Sequence, residues 1–381
     1  MSFASETICV QGDTSERNPF GAVSVPIYAS ATFEHPALGE STGYAYSRVQ
    51  NPTRDALQRT VALLEEGEEC LAFASGMAAI TAVMELFFPG DHILATDDVY
   101  GGTFRLWNAV SKKHGVTVEC IDTSDLEKVK ASFRPETKAV FLESPSNPTM
   151  KVSDIAAIAD IAREHHCLVL VDNTFLSPYF QKPLTLGADV VIHSGTKYLG
   201  GHNDVLSGFV ITPAGDIAER LKYIYKTTGS GLSPMDSWLV LRGMKTLALR
   251  MEQHQKNALA IAHWLKTQKK VQEVFYIGLE DRKDRELILR QCTGFGGMIS
   301  FRVDSFETVK QVLSAVKLIR FAESLGGVET LITFPMSQTH AEVPEEIREG
   351  LGITDTLLRL SVGIENADDL IADLDQALNG K

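Results

Sequence analysis

The sequence has little of what marks secreted, metal-binding and membrane proteins. Its 381 residues include only five cysteines, an odd number without a CxxC pair, so neither disulfides nor a zinc site are expected. No apolar run approaches the length that spans a bilayer, and no basic stretch leads into an apolar one near residue 1. These absences predict a cytoplasmic protein. The cysteines are scattered, at Cys9, Cys70, Cys120, Cys167 and Cys292.

Two further features are missing, a block of like charge and a GxGxxG motif. With 36 Lys and Arg against 49 Asp and Glu, the formal net charge is −13, so nucleic acids and anionic membrane surfaces are not expected partners. Without the glycine fingerprint, a nicotinamide-dependent dehydrogenase has little support. What is present is a globular composition, 44% hydrophobic and 22% charged, in a chain long enough for more than one domain.

A repeating pattern predicts the fold of residues 54 to 192. Short apolar runs alternate with amphipathic stretches, which is typical of an α/β domain with a mostly parallel sheet. The strand-like runs span 70–73, 92–95, 116–121, 139–142, 168–171 and 190–192, and the helical stretches include 54–66, 78–88, 104–114 and 155–165.

This pattern and its interruptions divide the chain into three predicted segments. Residues 1–60 contain several Pro and Gly and little periodicity, which indicates an extended arm. A large domain is predicted over 61–245; the sequence Gly-Ser-Gly-Leu-Ser-Pro at 229–234 interrupts its pattern, and a long helical stretch over 237–268 follows. The remainder, 246–381, predicts a smaller α+β domain.

Polar residues at the ends of the predicted strands are candidates for a binding site, because open α/β sheets bind ligands at the carboxyl ends of their strands. Gly76 and Met77 follow the first strand and open a helix, whose free backbone amides suit a phosphate. Tyr100 lies in a glycine-containing loop that a flat ligand can approach, and Asp172 can pair with a protonated pyridine nitrogen. Asn147 can hydrogen-bond ring substituents. Each residue alone also fits an ordinary turn, cap or surface role.

Lys197 is the candidate that suggests a common function for these residues. It follows the strand at 190–192 among small residues and glycines, and a lysine held there loses water, so its pKa falls and its amine can form a Schiff base with an aldehyde. Ser194 and Thr196 beside it offer hydroxyls to a phosphate. A surface lysine in a loop is the alternative. A phosphate cup, a carboxylate, an aromatic ring and a lysine together indicate pyridoxal phosphate.

Six motifs spread over nearly the whole chain point to one enzyme family. They are Tyr-Ser-Arg-Val-Gln-Asn-Pro-Thr-Arg from Tyr46, Phe-Ala-Ser-Gly-Met-Ala-Ala from Phe73, Asp-Val-Tyr-Gly-Gly from Asp98, Val-Asp-Asn-Thr-Phe from Val171, Ser-Gly-Thr-Lys-Tyr-Leu-Gly-Gly-His from Ser194, and Leu-Arg-Leu-Ser-Val-Gly from Leu358. On these motifs the sequence resembles the Cys/Met-metabolism family of pyridoxal-phosphate enzymes, which act in trans-sulfuration.

The resemblance implies a fold and a cofactor site. The fold is that of fold-type I pyridoxal-phosphate transferases, in which residues 61–245 would bind the cofactor and the arm would contribute to a neighbouring active site. Lys197 would hold the cofactor covalently, Asp172 would pair with its ring nitrogen, and Tyr100 would stack on the ring and handle protons. The remaining implied contacts are to the phosphate, from Gly76, Met77, Ser194 and Thr196 within the subunit and from Tyr46 and Arg48 of a neighbour.

The resemblance also implies a substrate site and an assembly. Arg359 would clamp the substrate α-carboxylate, and Ser324 and Asn147 would lie near the substrate or ring. Arg105 and Glu323 match residues that recognise the distal part of cystathionine. The family's usual assembly is a homotetramer built from two dimers.

The implied reaction is γ-elimination of L-cystathionine to cysteine, 2-oxobutanoate and ammonia, with some β-elimination. The alternatives are β-elimination to homocysteine and pyruvate, or the synthesis of cystathionine. Gly102 stands where methionine-using members carry a cysteine, which disfavours methionine as substrate, whereas Ala45 replaces a glutamate of animal γ-lyases and implies looser distal recognition. A protein that binds the cofactor or an amino acid without turnover is an alternative of another class; the combination of Lys197 with the other candidates argues against it.

Overall fold

The computed structural model describes residues 3–14, 18 and 20–380. Residues 1–2, 15–17 and 19 of the predicted arm, and residue 381 of the predicted C-terminal domain, lie outside the described residues. Within the described residues the strands form two sheets, one of seven strands and one of five. No helix in these ranges is both long and apolar enough to cross a lipid bilayer.

The larger sheet has the strand order β1-β7-β6-β5-β4-β2-β3. Strands β2 to β6 run parallel, and β7 lies antiparallel to both β6 and β1. The predicted mostly parallel α/β sheet is therefore confirmed. The strands are β1 (Glu69–Phe73), β2 (His92–Thr96), β3 (Thr117–Ile121), β4 (Thr137–Glu143), β5 (Leu168–Asp172), β6 (Val190–Ser194) and β7 (Gly208–Thr212).

Helices cover both faces of this sheet, which explains why its central strands are almost continuously apolar. Along β4, Val140 and Leu142 belong to the hydrophobic core on one face, whereas Ala139 and Phe141 belong to the core on the other. The helices of this part of the chain are α1 (Ser5–Gln11), α2 (Pro52–Glu65), α3 (Gly76–Met84), α4 (Gly101–Leu106), α5 (Leu126–Ala131), α6 (Ile155–Glu164), α7 (Ser177–Phe180), α8 (Asp216–Thr228), α9 (Pro234–Met244) and α10 (Leu247–Lys266).

The smaller sheet has the order β10-β11-β12-β9-β8 and its own hydrophobic core. Its central strand β12 carries Arg359, whose Nη1 donates a hydrogen bond of 2.8 Å to Oδ1 of Asn147, which follows β4 of the larger sheet. Its elements are β8 (Val271–Phe275), α11 (Arg285–Gln291), β9 (Met298–Val303), α12 (Phe306–Ala315), β10 (Arg320–Phe321), β11 (Leu331–Thr333), α13 (Glu345–Gly350), β12 (Leu357–Ser361) and α14 (Ala367–Asn379).

Four local predictions differ from the structure. The helix predicted over 78–88 spans Gly76–Met84 as α3 and so ends four residues earlier. The helix predicted over 237–268 is two helices, because α9 ends at Met244 and α10 begins at Leu247. The helix predicted over 104–114 begins earlier, at Gly101, and continues after Leu106 as short π and 3-10 turns. A helix, α1, lies within the arm predicted to be extended. The boundaries at residues 60 and 245 stay predictions.

Candidate active site

A cavity of about 330 Å³ lies where the carboxyl ends of the parallel strands meet the smaller sheet. It brings together eleven of the predicted site residues, from both sheets and from sequence positions up to 283 residues apart (359 − 76). These residues are Gly76, Met77, Tyr100, Asn147, Asp172, Ser194, Thr196, Lys197, Glu323, Ser324 and Arg359.

Lys197 lies in the turn directly after β6, and its amine points into this cavity. Its Nζ donates a hydrogen bond of 2.8 Å to Oγ of Ser324. Burial, reinforced by the positive charge of Arg359, lowers the pKa of Lys197 to about 8. About a tenth of the amine is then neutral at pH 7, against less than about a thousandth for an exposed lysine. The predicted loss of basicity is therefore present, and it makes the amine a usable nucleophile.

Asp172 ends β5 and is held by the next turn of the chain. Its Oδ1 accepts hydrogen bonds from the Thr174 amide at 3.0 Å and the Thr174 hydroxyl at 2.5 Å. The same hydroxyl accepts from the amide of Ser194 at 2.9 Å, which ties the ends of β5 and β6 together. Burial raises the pKa of Asp172, and the Thr174 hydrogen bonds oppose that rise.

Glu143 is a site residue that sequence reasoning missed. It ends β4 opposite Asp172 in register, lines the cavity, and its Oε2 accepts a hydrogen bond of 2.9 Å from the amide of Tyr100. Burial, together with the neighbouring charge of Asp172, raises the pKa of Glu143 well above its usual range. The higher pKa of Glu143 favours its protonated form, and the Thr174 hydrogen bonds favour the charged form of Asp172. The signal was available, because Glu143 follows a predicted strand just as Asp172 does.

The N-terminus of α3 forms a second wall. Ser75 caps the helix by accepting from the amide of Ala78 at 3.1 Å, so the amides at the helix start face the cavity. A Cβ on Gly76 would lie 2.9 Å from Cβ of Ser194, so only glycine permits this close approach of α3 to β6. Backbone amides and the Ser194 and Thr196 side chains therefore converge on a position suited to an anion.

Arg359 reaches the cavity from β12 and is fully buried. Its Nη1 donates to Oδ1 of Asn147 at 2.8 Å, and its Nη2 donates to the Ser324 carbonyl at 3.1 Å and the Thr333 hydroxyl at 3.2 Å. Its Nε has no hydrogen-bond partner among the described residues. Burial lowers the pKa of Arg359 to about 10. A buried, incompletely paired guanidinium facing a cavity is a ready partner for a carboxylate.

Comparison with protein-family models shows to which family the chain belongs. The model described as "Cys/Met metabolism PLP-dependent enzyme" matches residues 6–379. The chain belongs to this family. It is therefore related to pyridoxal-phosphate-dependent carbon–sulfur lyases, and the predicted fold class and cofactor are confirmed.

Individual relatives of this Cys/Met-metabolism enzyme have several reactions in their names. A cystathionine γ-lyase of Bacillus subtilis is 51% identical over 373 residues, 98% of both chains. A cystathionine β-lyase of Lactococcus lactis is 49% identical over 376 residues, 99% of both, and a cystathionine γ-synthase of Haemophilus influenzae is 46% identical over 378 residues, 99% of this chain and 98% of that one. The crystal structure of cystathionine γ-lyase from Lactobacillus plantarum complexed with L-serine superimposes with a TM-score of 0.96, at 47% identity over 98% of each chain.

The residues present fit pyridoxal phosphate on the structure's own terms. The cavity offers a buried amine for the aldehyde, a buried carboxylate for the ring nitrogen, helix amides for the phosphate, and a guanidinium Nε that lacks a partner.

Three predicted site residues do not line this cavity. Tyr46 and Arg48 pack against each other, with the guanidinium carbon 5.4 Å from the ring centroid, and Arg48 donates to the carbonyl of Lys226. Arg105 donates to Oε2 of Glu342 at 2.7 Å in an exposed ion pair. A phosphate contact from Tyr46 or Arg48 therefore requires a neighbouring subunit, and that role stays a prediction.

Proposed function

We propose that the protein cleaves L-cystathionine by γ-elimination, giving cysteine, 2-oxobutanoate and ammonia with consumption of one water. The observation that carries this proposal is the placement of Glu323 in the same cavity as Lys197. Its carboxylate lies close enough to Lys197 to oppose the fall in the lysine's pKa. A carboxylate at the cavity rim gives the second amino group of cystathionine a charged partner.

Pyridoxal phosphate, when bound, withdraws electrons from the substrate Cα and so makes its C–H bond acidic. In this proposal Lys197 holds the cofactor, the Asp172 carboxylate pairs with the ring nitrogen, and Tyr100 covers the ring. Gly76, Met77, Ser194 and Thr196 bind the phosphate, with Tyr46 and Arg48 of a second subunit completing that contact. The further assembly into a tetramer and a cytoplasmic location belong to the same proposal.

Proton movement is assigned to Lys197 and Tyr100. In the cofactor-free protein the pKa of Lys197 is about 8, which is close to the optimum for a general base at neutral pH, so a free Nζ can accept a proton. The Ser324 hydroxyl, 2.8 Å from Nζ in the free protein, orients the amine. Nζ takes the proton from the substrate Cα and moves protons along the substrate toward Cγ. The Tyr100 phenol exchanges protons with the incoming amine and the leaving thiolate.

Arg359 and Asn147 orient the substrate. The guanidinium binds the α-carboxylate through paired N–H groups, and Asn147, which already accepts from Arg359 at 2.8 Å, keeps its plane fixed. Because Arg359 is buried, its charge is little screened by water and the contact is strong.

The products of cystathionine cleavage test this function. We expect 2-oxobutanoate as the dominant keto acid when purified protein, loaded with pyridoxal phosphate, is incubated with L-cystathionine and the products are separated by chromatography. Dominant pyruvate would instead identify a β-lyase, the reaction named for the Lactococcus relative. Neither keto acid, together with cystathionine formation from a homoserine ester and cysteine, would identify a γ-synthase.

A substitution at Glu323 tests the recognition of the distal amino group. We expect Glu323→Gln to raise KM for L-cystathionine about threefold to fivefold, since an exposed ion pair contributes up to about 1 kcal/mol. The kcat/KM for L-homoserine, which lacks a second amino group, is expected to stay unchanged.

Glu329→Gln is the matched control for this substitution. Glu329 is also exposed and lies in the neighbouring cavity that Glu323 borders, but its carboxylate binds Nδ2 of Asn203 at 2.7 Å. Glu329→Gln should leave KM for L-cystathionine and kcat/KM for L-homoserine unchanged. Equal losses for cystathionine and homoserine in Glu323→Gln would refute the distal role.

A further inference from the structure

A buried histidine lies beside the cavity, and none of the steps proposed above uses it. His340 is 1% exposed and belongs to the segment 334–343, which lies between β11 and α13. Its Nε2 is 3.1 Å from the carbonyl oxygen of Val99, in the loop after β2, and 3.1 Å from that of Asn147, in the loop after β4. Its Nδ1 is 2.9 Å from Oγ1 of Thr339. The imidazole thus contacts two loops of the larger sheet from a segment of the smaller one.

The partners of His340 define which ring nitrogen carries the proton. A carbonyl oxygen can only accept a hydrogen bond, so Nε2 is the donor to Val99 and Asn147. Burial, reinforced by the positive charge of Arg359, lowers the pKa of His340 to about 4, so the ring is neutral at neutral pH. Nδ1 is then an acceptor, to which the Thr339 hydroxyl donates.

Asp98 joins the two loops to each other. Its side chain is buried, and its Oδ2 accepts from the Ser146 hydroxyl at 2.7 Å and from the Thr149 amide at 2.9 Å. The amide of Asn147 donates to the Asp98 carbonyl at 3.3 Å. The loop after β2 and the loop after β4 therefore form one connected unit.

His340 joins this unit to the strands that hold Arg359. The segment 334–343 directly follows β11, whose last residue, Thr333, lies opposite Arg359 in register and accepts from its Nη2 at 3.2 Å. Nη1 of the same guanidinium donates to Oδ1 of Asn147 at 2.8 Å, and the Asn147 carbonyl accepts from His340. The guanidinium is therefore held from two sides by groups that His340 connects.

The segment 334–343 also packs closely on the loop after β2. A Cβ on Gly101 would lie 2.1 Å from the carbonyl oxygen of Thr339, so only glycine permits this approach. Thr339 itself lines the cavity. Because no gap separates these backbones, a shift of the segment is transmitted to the loops.

We propose that His340 is a positioning residue whose Nε2–H sets the geometry in which Arg359, aligned by Asn147, binds the substrate α-carboxylate. The inference rests on the proposed function, in which Arg359 is the partner of that carboxylate. It assigns a role to a histidine that does not line the cavity.

Two substitutions separate the donor from the volume of the side chain. Val99 and Asn147 are buried, so without Nε2–H their carbonyls lose a partner that water does not readily replace. His340→Leu, of similar size, is therefore expected to weaken the binding of a carboxylate-bearing ligand about tenfold. His340→Gln places an amide group near the position of Nε2 and can donate to both carbonyls, so binding should recover to within about twofold.

The binding of glycine to the protein loaded with pyridoxal phosphate measures this contact without turnover. Glycine has the α-amine and the α-carboxylate but no leaving group, so its dissociation constant does not depend on which carbon–sulfur bond the enzyme breaks. Methylamine lacks the carboxylate and reports a general disturbance of the site. Followed by absorbance of the cofactor, the dissociation constant in His340→Leu should rise about tenfold for glycine and less than about twofold for methylamine.

His92 provides a matched control. It is also 1% exposed, and its Nδ1 is 2.9 Å from Oγ1 of Thr137, but it begins β2 and so lies at the end of the sheet opposite to the cavity. His92→Leu should lower the unfolding temperature and leave both dissociation constants unchanged. Equal weakening of glycine and methylamine in His340→Leu, or no recovery in His340→Gln, would show that His340 only supports the fold.

Two further variants separate this inference from the proposed function. Arg359→Lys should weaken glycine more than methylamine; if it does not, Arg359 is not the partner of the α-carboxylate and that part of the proposed function fails. If Arg359→Lys has this effect and His340→Leu does not, the positioning role alone is overturned. In an Asn147→Ala background, His340→Leu should weaken glycine little further, whereas an additional loss of about tenfold would overturn the route through Asn147.

A measurement on the unsubstituted protein covers the case in which His340→Leu does not fold. In cofactor-free protein labelled with ¹⁵N-histidine, the ring of His340 is expected to show a protonated Nε2 and an unprotonated Nδ1 at neutral pH. His340→Gln identifies the signals. An unprotonated Nε2, which cannot donate to a carbonyl, would overturn the proposal.

Discussion

Lys197→Ala is expected to lower kcat for cystathionine about 10³-fold to 10⁴-fold and to remove the visible absorption band of the lysine-bound cofactor. In the proposed mechanism the amine is both the nucleophile and the general base, and loss of a general base alone typically costs about 10²-fold to 10⁴-fold. Single-turnover kinetics and an absorption spectrum of the reconstituted protein give the two readouts. Retention of the band, or of a tenth of the activity, would show that the amine has another role.

Lys151→Ala is a matched control for this change. Lys151 is also partly buried, but its Nζ binds Asp97 at 3.0 Å and Asp122 at 3.1 Å, and it does not line the cavity. Its loss should reduce stability and leave the band in place. The two variants thus distinguish a lysine needed for catalysis from one needed for stability.

The stability of Lys197→Ala should depend on pH in a defined direction. The pKa of Lys197 is lowered from 10.5 to about 8 in the folded protein, so between these values the unfolded chain binds more protons than the folded one. Folding of the unsubstituted protein is therefore penalised most below pH 8, and the penalty disappears as pH rises above 10.5. In the cofactor-free form, the alanine variant should gain most in unfolding temperature below pH 8, with the gain falling off at higher pH.

The strand-end residues of the larger sheet were the part of the site that sequence could predict. Lys197 and Asp172 each follow a short, fully apolar run, and parallel strands bring their carboxyl ends to one edge. Glu143 satisfies the same rule, because it directly follows the predicted strand at 139–142 as Asp172 follows the one at 168–171. It was missed although its sequence position carried the same signal.

The residues from the smaller sheet could be placed only through resemblance to the family. Ser324 meets Lys197 across 127 residues, and its backbone has a φ of +88°, which no local sequence signal predicts for a serine. Strand β7 (Gly208–Thr212) was missed as well, although it is fully buried. It is one short apolar run after a glycine-rich segment, and the sequence does not show with which strand such a run pairs.

The break between α9 and α10 has a cause in packing. The sequence at 244–247, Met-Lys-Thr-Leu, contains neither Pro nor Gly, so the apolar periodicity ran on through it. In the structure Arg250 donates from Nη1 to the carbonyl of Tyr198 at 2.7 Å and from Nη2 to the carbonyl of Gly243 at 2.9 Å. A Cβ at Gly243 would lie 2.2 Å from the carbonyl oxygen of Gly200, next to the turn that carries Lys197. Tertiary contacts around the active-site turn thus set this helix boundary.

Arg359→Lys is expected to raise KM for cystathionine about 30-fold to 100-fold with a smaller fall in kcat. A lysine keeps the positive charge but loses the planar fork, so it cannot bind the α-carboxylate through two N–H groups and also hold Asn147, to which Nη1 now donates at 2.8 Å. A hydrogen bond between charged groups contributes about 1.5–3 kcal/mol, which corresponds to the expected change. Steady-state kinetics with cystathionine and with homoserine should show the same rise, because both carry the α-carboxylate.

Arg250→Lys is the control that decides whether this effect comes from recognition or from the loss of a buried arginine. Arg250 is also buried, its pKa is likewise lowered by burial to about 10, and its guanidinium binds backbone carbonyls near Lys197 without lining the cavity. It should lower the unfolding temperature and change KM little. A similar rise of KM in both variants would mean that Arg359 acts by supporting the fold, and the carboxylate of the substrate would then need another partner among the residues of the cavity.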